Sequence, residues 1–266
     1  MIESLCRPGN SRLLQVDAVY LPSDLTPAQT DGRTVVVFDV LRATTSMTAA
    51  LAAGVREIRI FGDIHTAAAA ARQFDGQRLL CGETNCLPPP GFDLGNSPAA
   101  FQRESHAGST VFLSTTNGTK AVIAARGAAV VLIGAVVNAG AVAQKIAEIG
   151  RDVTLLCAGT RGRPAMEDVI GAGAVIEALI AMRAGDPSTD AARMAGRLFR
   201  SVKDSLRAAM AESEGGRHLF AVGLESDIDF CAVLDSIPLV GVARDNPLRV
   251  TLESQANSSL AFAKNY

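Results

Sequence analysis

The feature that most constrains this chain is a recurrence. Short, continuous runs of apolar and β-branched residues alternate with Ala-rich stretches of helical periodicity. The runs at 34–40 (TVVVFDV), 55–61 (VREIRIF), 78–83 (RLLCGE), 110–115 (TVFLST), 129–136 (AVVLIGAV) and 152–159 (DVTLLCAG) read as strands. The stretches at 44–53, 64–74, 119–126, 138–149 and 165–184 read as helices. Apolar runs without polar alternation belong to strands covered on both faces, as in a largely parallel sheet between two helical layers. The expected class is therefore α/β, with three α/β/α layers.

Within that pattern, 34–62 laid beside 110–135 gives the same order twice: strand, Thr-rich turn, Ala-rich helix closing on Gly54 or Gly127, then another strand. A looser third copy begins at 152. Internal duplication and the ordinary rhythm of an α/β chain both account for this. The expected organisation is an N-terminal extension (1–13), an α/β domain (14–242) open to division into similar halves at about 14–105 and 106–242, and a peripheral tail (243–266). From 186 onward the pattern reads as one long amphipathic helix ending at Gly215-Gly216.

Composition narrows the partners. With 266 residues and 48% hydrophobic content the chain can bury a sizeable core. A net charge of −2 with scattered Lys and Arg offers no footprint for nucleic acid or anionic lipid, so a small-molecule partner is expected. No apolar run reaches the roughly 20 residues of a membrane span, and the first residues have no secretory h-region. Five widely spaced cysteines, Cys6, Cys81, Cys86, Cys157 and Cys231, fit reduced thiols, so a cytoplasmic protein is expected. The Ala-rich helices leave room for a homo-oligomer.

The chemistry is expected where strands enter helices, since open α/β sheets bind ligands at the carboxyl ends of their strands. The run Thr115-Thr116-Asn117-Gly118-Thr119-Lys120 stands at such a place. Free backbone N–H groups, hydroxyls and a glycine there suit a phosphate, and the run is longer than a simple helix cap needs. Its counterpart is FDVLRATTS (38–46), with Asp39 ending an apolar strand and Arg42, Thr44 and Thr45 at the next helix start. A carboxylate in that position needs a cation, either Arg42 or a metal. Glu83 also ends an apolar strand, and Glu167-Asp168 open a helix. Asp39, Glu83 and Asp168 converging on one cleft would suit Mg²⁺, a hard cation often completed by substrate phosphate.

CAGTRGR (157–163) supports a rival, because Cys157 and Arg163 have the C-x₅-R spacing of thiolate phosphatases, while Arg161 is a bidentate partner for phosphate, carboxylate or sulfonate in either case. A non-enzymatic phosphate- or sulfonate-binding protein is the second alternative. His65, His106 and His218 form no metal pair, and no Walker loop, dinucleotide fingerprint or G-x-S-x-G elbow occurs.

Taken in order, VVVFDVLRATTS, GFDLGNSP, STTNGTKA, GAVVNA, CAGTRGRPAMED and DIDFCAVLD resemble the 2-phosphosulfolactate phosphatase family from about Leu14 to Val242. The resemblance implies an α/β/α, Mg²⁺-dependent phosphatase acting on phosphate esters of 2-hydroxy acids, releasing sulfolactate and phosphate on the route to coenzyme M. The matching motifs single out Asp39, Arg42, Glu83, Asp93, Asn96, Thr116, Asn117, Thr119 and Asp168. The expected catalytic set is Asp39, Arg42, Glu83 and Asp168. Substrate contacts are expected from Thr44, Thr45, Asn96, Thr115–Thr119 and Arg161.

Overall fold

The computed structural model describes residues 12–253. Cys6 and most of the expected N-terminal extension lie outside the described residues, as does the expected tail from 254 on. Ten strands form one sheet in the order β4-β5-β3-β10-β9-β6-β2-β7-β1-β8. They are β1 (Leu14–Val19), β2 (Thr34–Phe38), β3 (Glu57–Ile60), β4 (Arg78–Gly82), β5 (Thr110–Ser114), β6 (Val130–Gly134), β7 (Val153–Cys157), β8 (Gly185–Pro187), β9 (Gly241–Arg244) and β10 (Arg249–Leu252). The helices between the early strands are α1 (Ala43–Ala52), α2 (Ile64–Arg72), α3 (Arg103–His106), α4 (Gly118–Ala124) and α5 (Ala139–Ile149). Then come α6 (Met166–Ala181), α7 (Asp190–Val202), α8 (Leu206–Glu212), α9 (Glu214–Ala221) and α10 (Glu225–Cys231).

Side chains alternate across the sheet, and β2 shows how this makes three layers. Val36 and Phe38 join a core with Val142 and Ile146 of α5 and Ile170, Ile176 and Leu179 of α6. Val35 and Val37 point the other way, toward Met47 and Leu51 of α1 and Ala121 and Val122 of α4. Strands β2, β5 and β7 are buried along their whole length, which explains their unbroken apolar sequences. Among the described residues no helix is long and apolar enough to cross a membrane.

The structure departs from the expected organisation in three places. Residues 243–252 are no peripheral tail, because β9 and β10 form an antiparallel hairpin inside the sheet, β10 against β3 and β9 against β6. Nor does the sheet divide near 105. Strands β3, β4 and β5 form one parallel group, while β6, β2, β7, β1 and β8 form the other, so the chain crosses between groups after β2 and returns after β5. The helix expected from 186 is broken into a short strand and separate helices. Thr189 caps α7 by accepting from the Ala192 N–H at 3.2 Å, and Ser213 caps α9 by accepting from the Gly216 N–H at 3.0 Å. Strand β1 lay hidden because Asp17 interrupts its apolar run; its carboxylate accepts hydrogen bonds from Gln29 and Thr189, both at 2.8 Å.

Candidate active site

Strands β2, β4, β5 and β7 deliver their carboxyl ends to one cleft, lined by Asp39, Arg42, Glu83, Asn96, Thr116, Asn117 and Arg161 among the expected residues. Asp39 ends β2 just before α1, and Asn117 precedes α4. The two helix starts touch because residue 118 has no side chain: a Cβ on Gly118 would stand 2.5 Å from the Ala43 Cβ and 2.7 Å from Asp39 Oδ2. Asp39 Oδ1 accepts from the Ala43 N–H at 3.2 Å, so its carboxylate faces the N-termini of both helices.

The Thr-rich turns divide their labour. Thr115 and Thr119 are buried and tie the turn to itself: the Thr119 N–H donates to Thr115 Oγ1 at 3.1 Å and Thr119 Oγ1 to the Thr115 carbonyl at 2.9 Å. Thr116 and Asn117 face the cleft. Thr44 and Thr45 likewise turn inward, donating to the carbonyls of Asp39 (2.9 Å) and Val40 (2.8 Å), and take no part in the cleft wall. Glu83 braces the rim, its two carboxylate oxygens accepting from the Thr116 N–H at 2.7 Å and the Cys86 N–H at 3.0 Å.

Asp168 sits behind the wall. It accepts from the Val40 N–H at 2.8 Å and the Gly159 N–H at 3.0 Å, so both oxygens clamp the loop after β2 to the loop after β7. Asp93 lies away from the cleft and accepts from the Leu80 N–H at 2.7 Å. Arg42 does not pair with Asp39. Its guanidinium donates to Asp227 of α10 at 2.5 Å and to the Cys86 carbonyl at 2.6 Å, and Ser97 Oγ donates to the other Asp227 oxygen at 2.5 Å. The Arg42–Asp227 pair is almost wholly buried, so Arg42 is held rigid and its charge is largely spoken for.

That leaves Asp39 without a cation. Burial, reinforced by the carboxylates of Glu83 and Glu167, pushes its pKa up to about 7 despite the opposing N–H groups of Ala43 and Gly118. Asp168 lies well above the usual carboxylate range through burial, with Asp39 and Glu167 adding repulsion. Glu167 is raised mainly by burial. Among the described residues no three His, Cys, Asp or Glu side chains assemble into a metal cage. The cleft does offer hard oxygen donors in the Asp39 and Glu83 carboxylates, and Asn96 on its wall has a buried amide oxygen with no hydrogen-bond partner. One or two carboxylates with further oxygen ligands are what Mg²⁺ takes when water and substrate phosphate complete its shell.

Cys157 does not meet the needs of a nucleophile. It is fully buried in the core, and burial, with Asp168 and Glu167 nearby, raises its thiol well above the ordinary value. The cleft also contains residues that the motifs did not single out: Asn85, Cys86, Thr160, Gly215 and His218. Gly215 permits close approach, since a Cβ there would stand 2.1 Å from Glu167 Oε1. Asp227 lies on the buried side of α10, within the stretch DIDFCAVLD.

The 2-phosphosulpholactate phosphatase family model matches residues 20–246. A relative from Thermotoga petrophila is 36% identical over 83% of this chain and 91% of its own length. One from Carboxydothermus hydrogenoformans is 35% identical over 91% of this chain and 98% of its own. A third, from Gloeobacter violaceus, is 36% identical over 84% and 93%. Each of the three is named "probable 2-phosphosulfolactate phosphatase". The matched region takes in every residue of the cleft, from Asp39 to His218, as well as the Asp227 that holds Arg42. The chain belongs to the 2-phosphosulpholactate phosphatase family.

Proposed function

We propose that this phosphoric monoester hydrolase removes phosphate from 2-phosphosulfolactate, or from a closely related phosphate ester of a 2-hydroxy acid, with Mg²⁺ held by Asp39 and Glu83. The observation that carries the reading is the charge imbalance of the cleft. Two carboxylates face a space whose one deeply buried arginine is already paired with Asp227, which leaves Arg161 as the unpaired cation on the wall among the described residues. A polyanionic ester would not enter such a floor unless a cation came with it.

Bound there, Mg²⁺ would neutralise phosphoryl oxygens and polarise the phosphorus toward attack by water. The chain's own groups do the remaining work. Arg42, fixed by Asp227 and the Cys86 carbonyl, offers a preset donor for phosphate. Thr116 and Asn117, on the rim braced by Glu83, hold the ester in register. Thr115, Thr119 and Asp168 act at one remove by fixing the backbone of the two turns.

Phosphate release from phosphosulfolactate tests this directly. EDTA-treated protein is expected to be inactive and Mg²⁺ to restore turnover. Activity that persists in EDTA and disappears in Cys157→Ser would return the thiolate mechanism and overturn the reading.

A further inference from the structure

Two tight turns overhang the cleft, and they are built alike. In Thr84–Leu87 the Thr84 N–H donates to the Leu87 carbonyl at 2.9 Å, and the central Asn85 and Cys86 have φ of 52° and 69°. In Thr160–Arg163 the Thr160 N–H donates to the Arg163 carbonyl at 2.8 Å, and Arg161 and Gly162 have φ of 52° and 72°. Two-residue turns with both central residues at positive φ favour Asn or Gly there. An arginine at the first central position is therefore strained, and a strained residue on a cleft is a reason to look for function.

Arg161 has a neighbour in kind. Arg163, at the end of the same turn, donates to both oxygens of Glu214, at 3.1 and 3.0 Å, so the turn is strapped to the start of α9. One turn further along α9, His218 reaches the same cleft. Arg42, Arg161 and His218 are the cationic or protonatable nitrogen side chains on the cleft wall. Arg42 is committed to Asp227. Among the described residues, the side chains of Arg161 and His218 make no hydrogen bond or ion pair with the protein.

We propose that Arg161 and His218 form a second anion subsite, which holds the acid group on C3 of the substrate and so selects esters carrying two acid groups besides the phosphate. The inference rests on the reading of the cleft as a phosphatase site. On that reading Asp39, Glu83, Thr116 and Asn117 take the transferred phosphate. The C3 sulfonate then lies against the wall formed by the β7–α6 turn and α9. A guanidinium suits it because two parallel N–H groups match two sulfonate oxygens, and the imidazole adds a donor from the adjoining helix.

The test compares kcat/KM for phosphosulfolactate with that for phospholactate, which lacks the sulfonate, in wild type, Arg161→Gly, Arg161→Lys and His218→Asn, all with Mg²⁺. Wild type is expected to prefer the sulfonated ester. The preference is expected to fall roughly 10- to 100-fold in Arg161→Gly, less in Arg161→Lys, and measurably in His218→Asn. Arg161→Gly also relaxes the positive φ, so its melting temperature is expected to hold or rise, which separates lost recognition from lost folding. A wild type with no preference, or variants that lose both substrates in equal proportion, overturns the subsite while leaving the phosphatase reading standing. A wild type that hydrolyses neither ester overturns that reading and the inference with it.

Discussion

Asp39 shows how a single buried charge couples chemistry to stability. Its carboxyl ionises at an ordinary 3.8 in the open chain but near 7 in the fold. Between those values the folded protein keeps a proton that the unfolded chain has lost, so stability is present below pH 4 and declines as pH rises toward 7. The slope from this group is at most about 1.4 kcal/mol per pH unit. Asp39→Asn removes the titration. In metal-free protein the variant is therefore expected to melt with wild type at pH 4 and above it at pH 8. Thermal denaturation across that range checks this, and a constant difference at every pH would sink it. Arg42 makes the complementary point. The sequence left Asp39 with either Arg42 or a metal as its cation, and the fold gives Arg42 to Asp227, brought across from α10.

At the scale of elements, the site depends on two helix starts meeting over Gly118. Gly118→Ala is expected to push Asp39 and Ala43 apart, costing about 1–3 kcal/mol in overpacking. That corresponds to a fall of roughly 2–12 °C in melting temperature, with a disproportionate loss of phosphatase activity. Calorimetry and phosphate release on the same sample check both. What could be read from the sequence at this scale follows from burial. Strands β2, β5 and β7 announced themselves because both faces are covered, and the residues at their ends were legible with them. The contributions of α9 and α10 were not, because His218 and Asp227 occupy positions on amphipathic helices where a polar residue looks like an ordinary exposed face. Their meaning comes from a fold that returns these helices to the cleft.

At the scale of the molecule, the α/β/α class was legible from apolar rhythm, but the order of the sheet was not. Strands β9 and β10 are four residues each, with Arg244 and Arg249 paired at the turn end and an Asn246-Pro247 turn between them. Four-residue segments flanked by charge carry almost no periodic signal. Yet β10 supplies the fully buried Val250 and joins β3 to β9. Truncation after Val242 is expected to abolish cooperative unfolding and leave the protein insoluble, measurable by calorimetry and by the soluble fraction. A truncated chain that melts as sharply as the full one would show that the two parallel groups hold together without it.

The same hairpin has a consequence in time. Residues 57–60 must wait for residues 249–252 before β3 gains its second neighbour. Until then a growing chain carries the unpaired flanks of two half-built sheets. Contacts so distant along the chain slow folding, and open strand edges recruit other chains. During synthesis the protein is thus most exposed to aggregation shortly before its last described strand emerges, and chaperone demand should be concentrated in that interval.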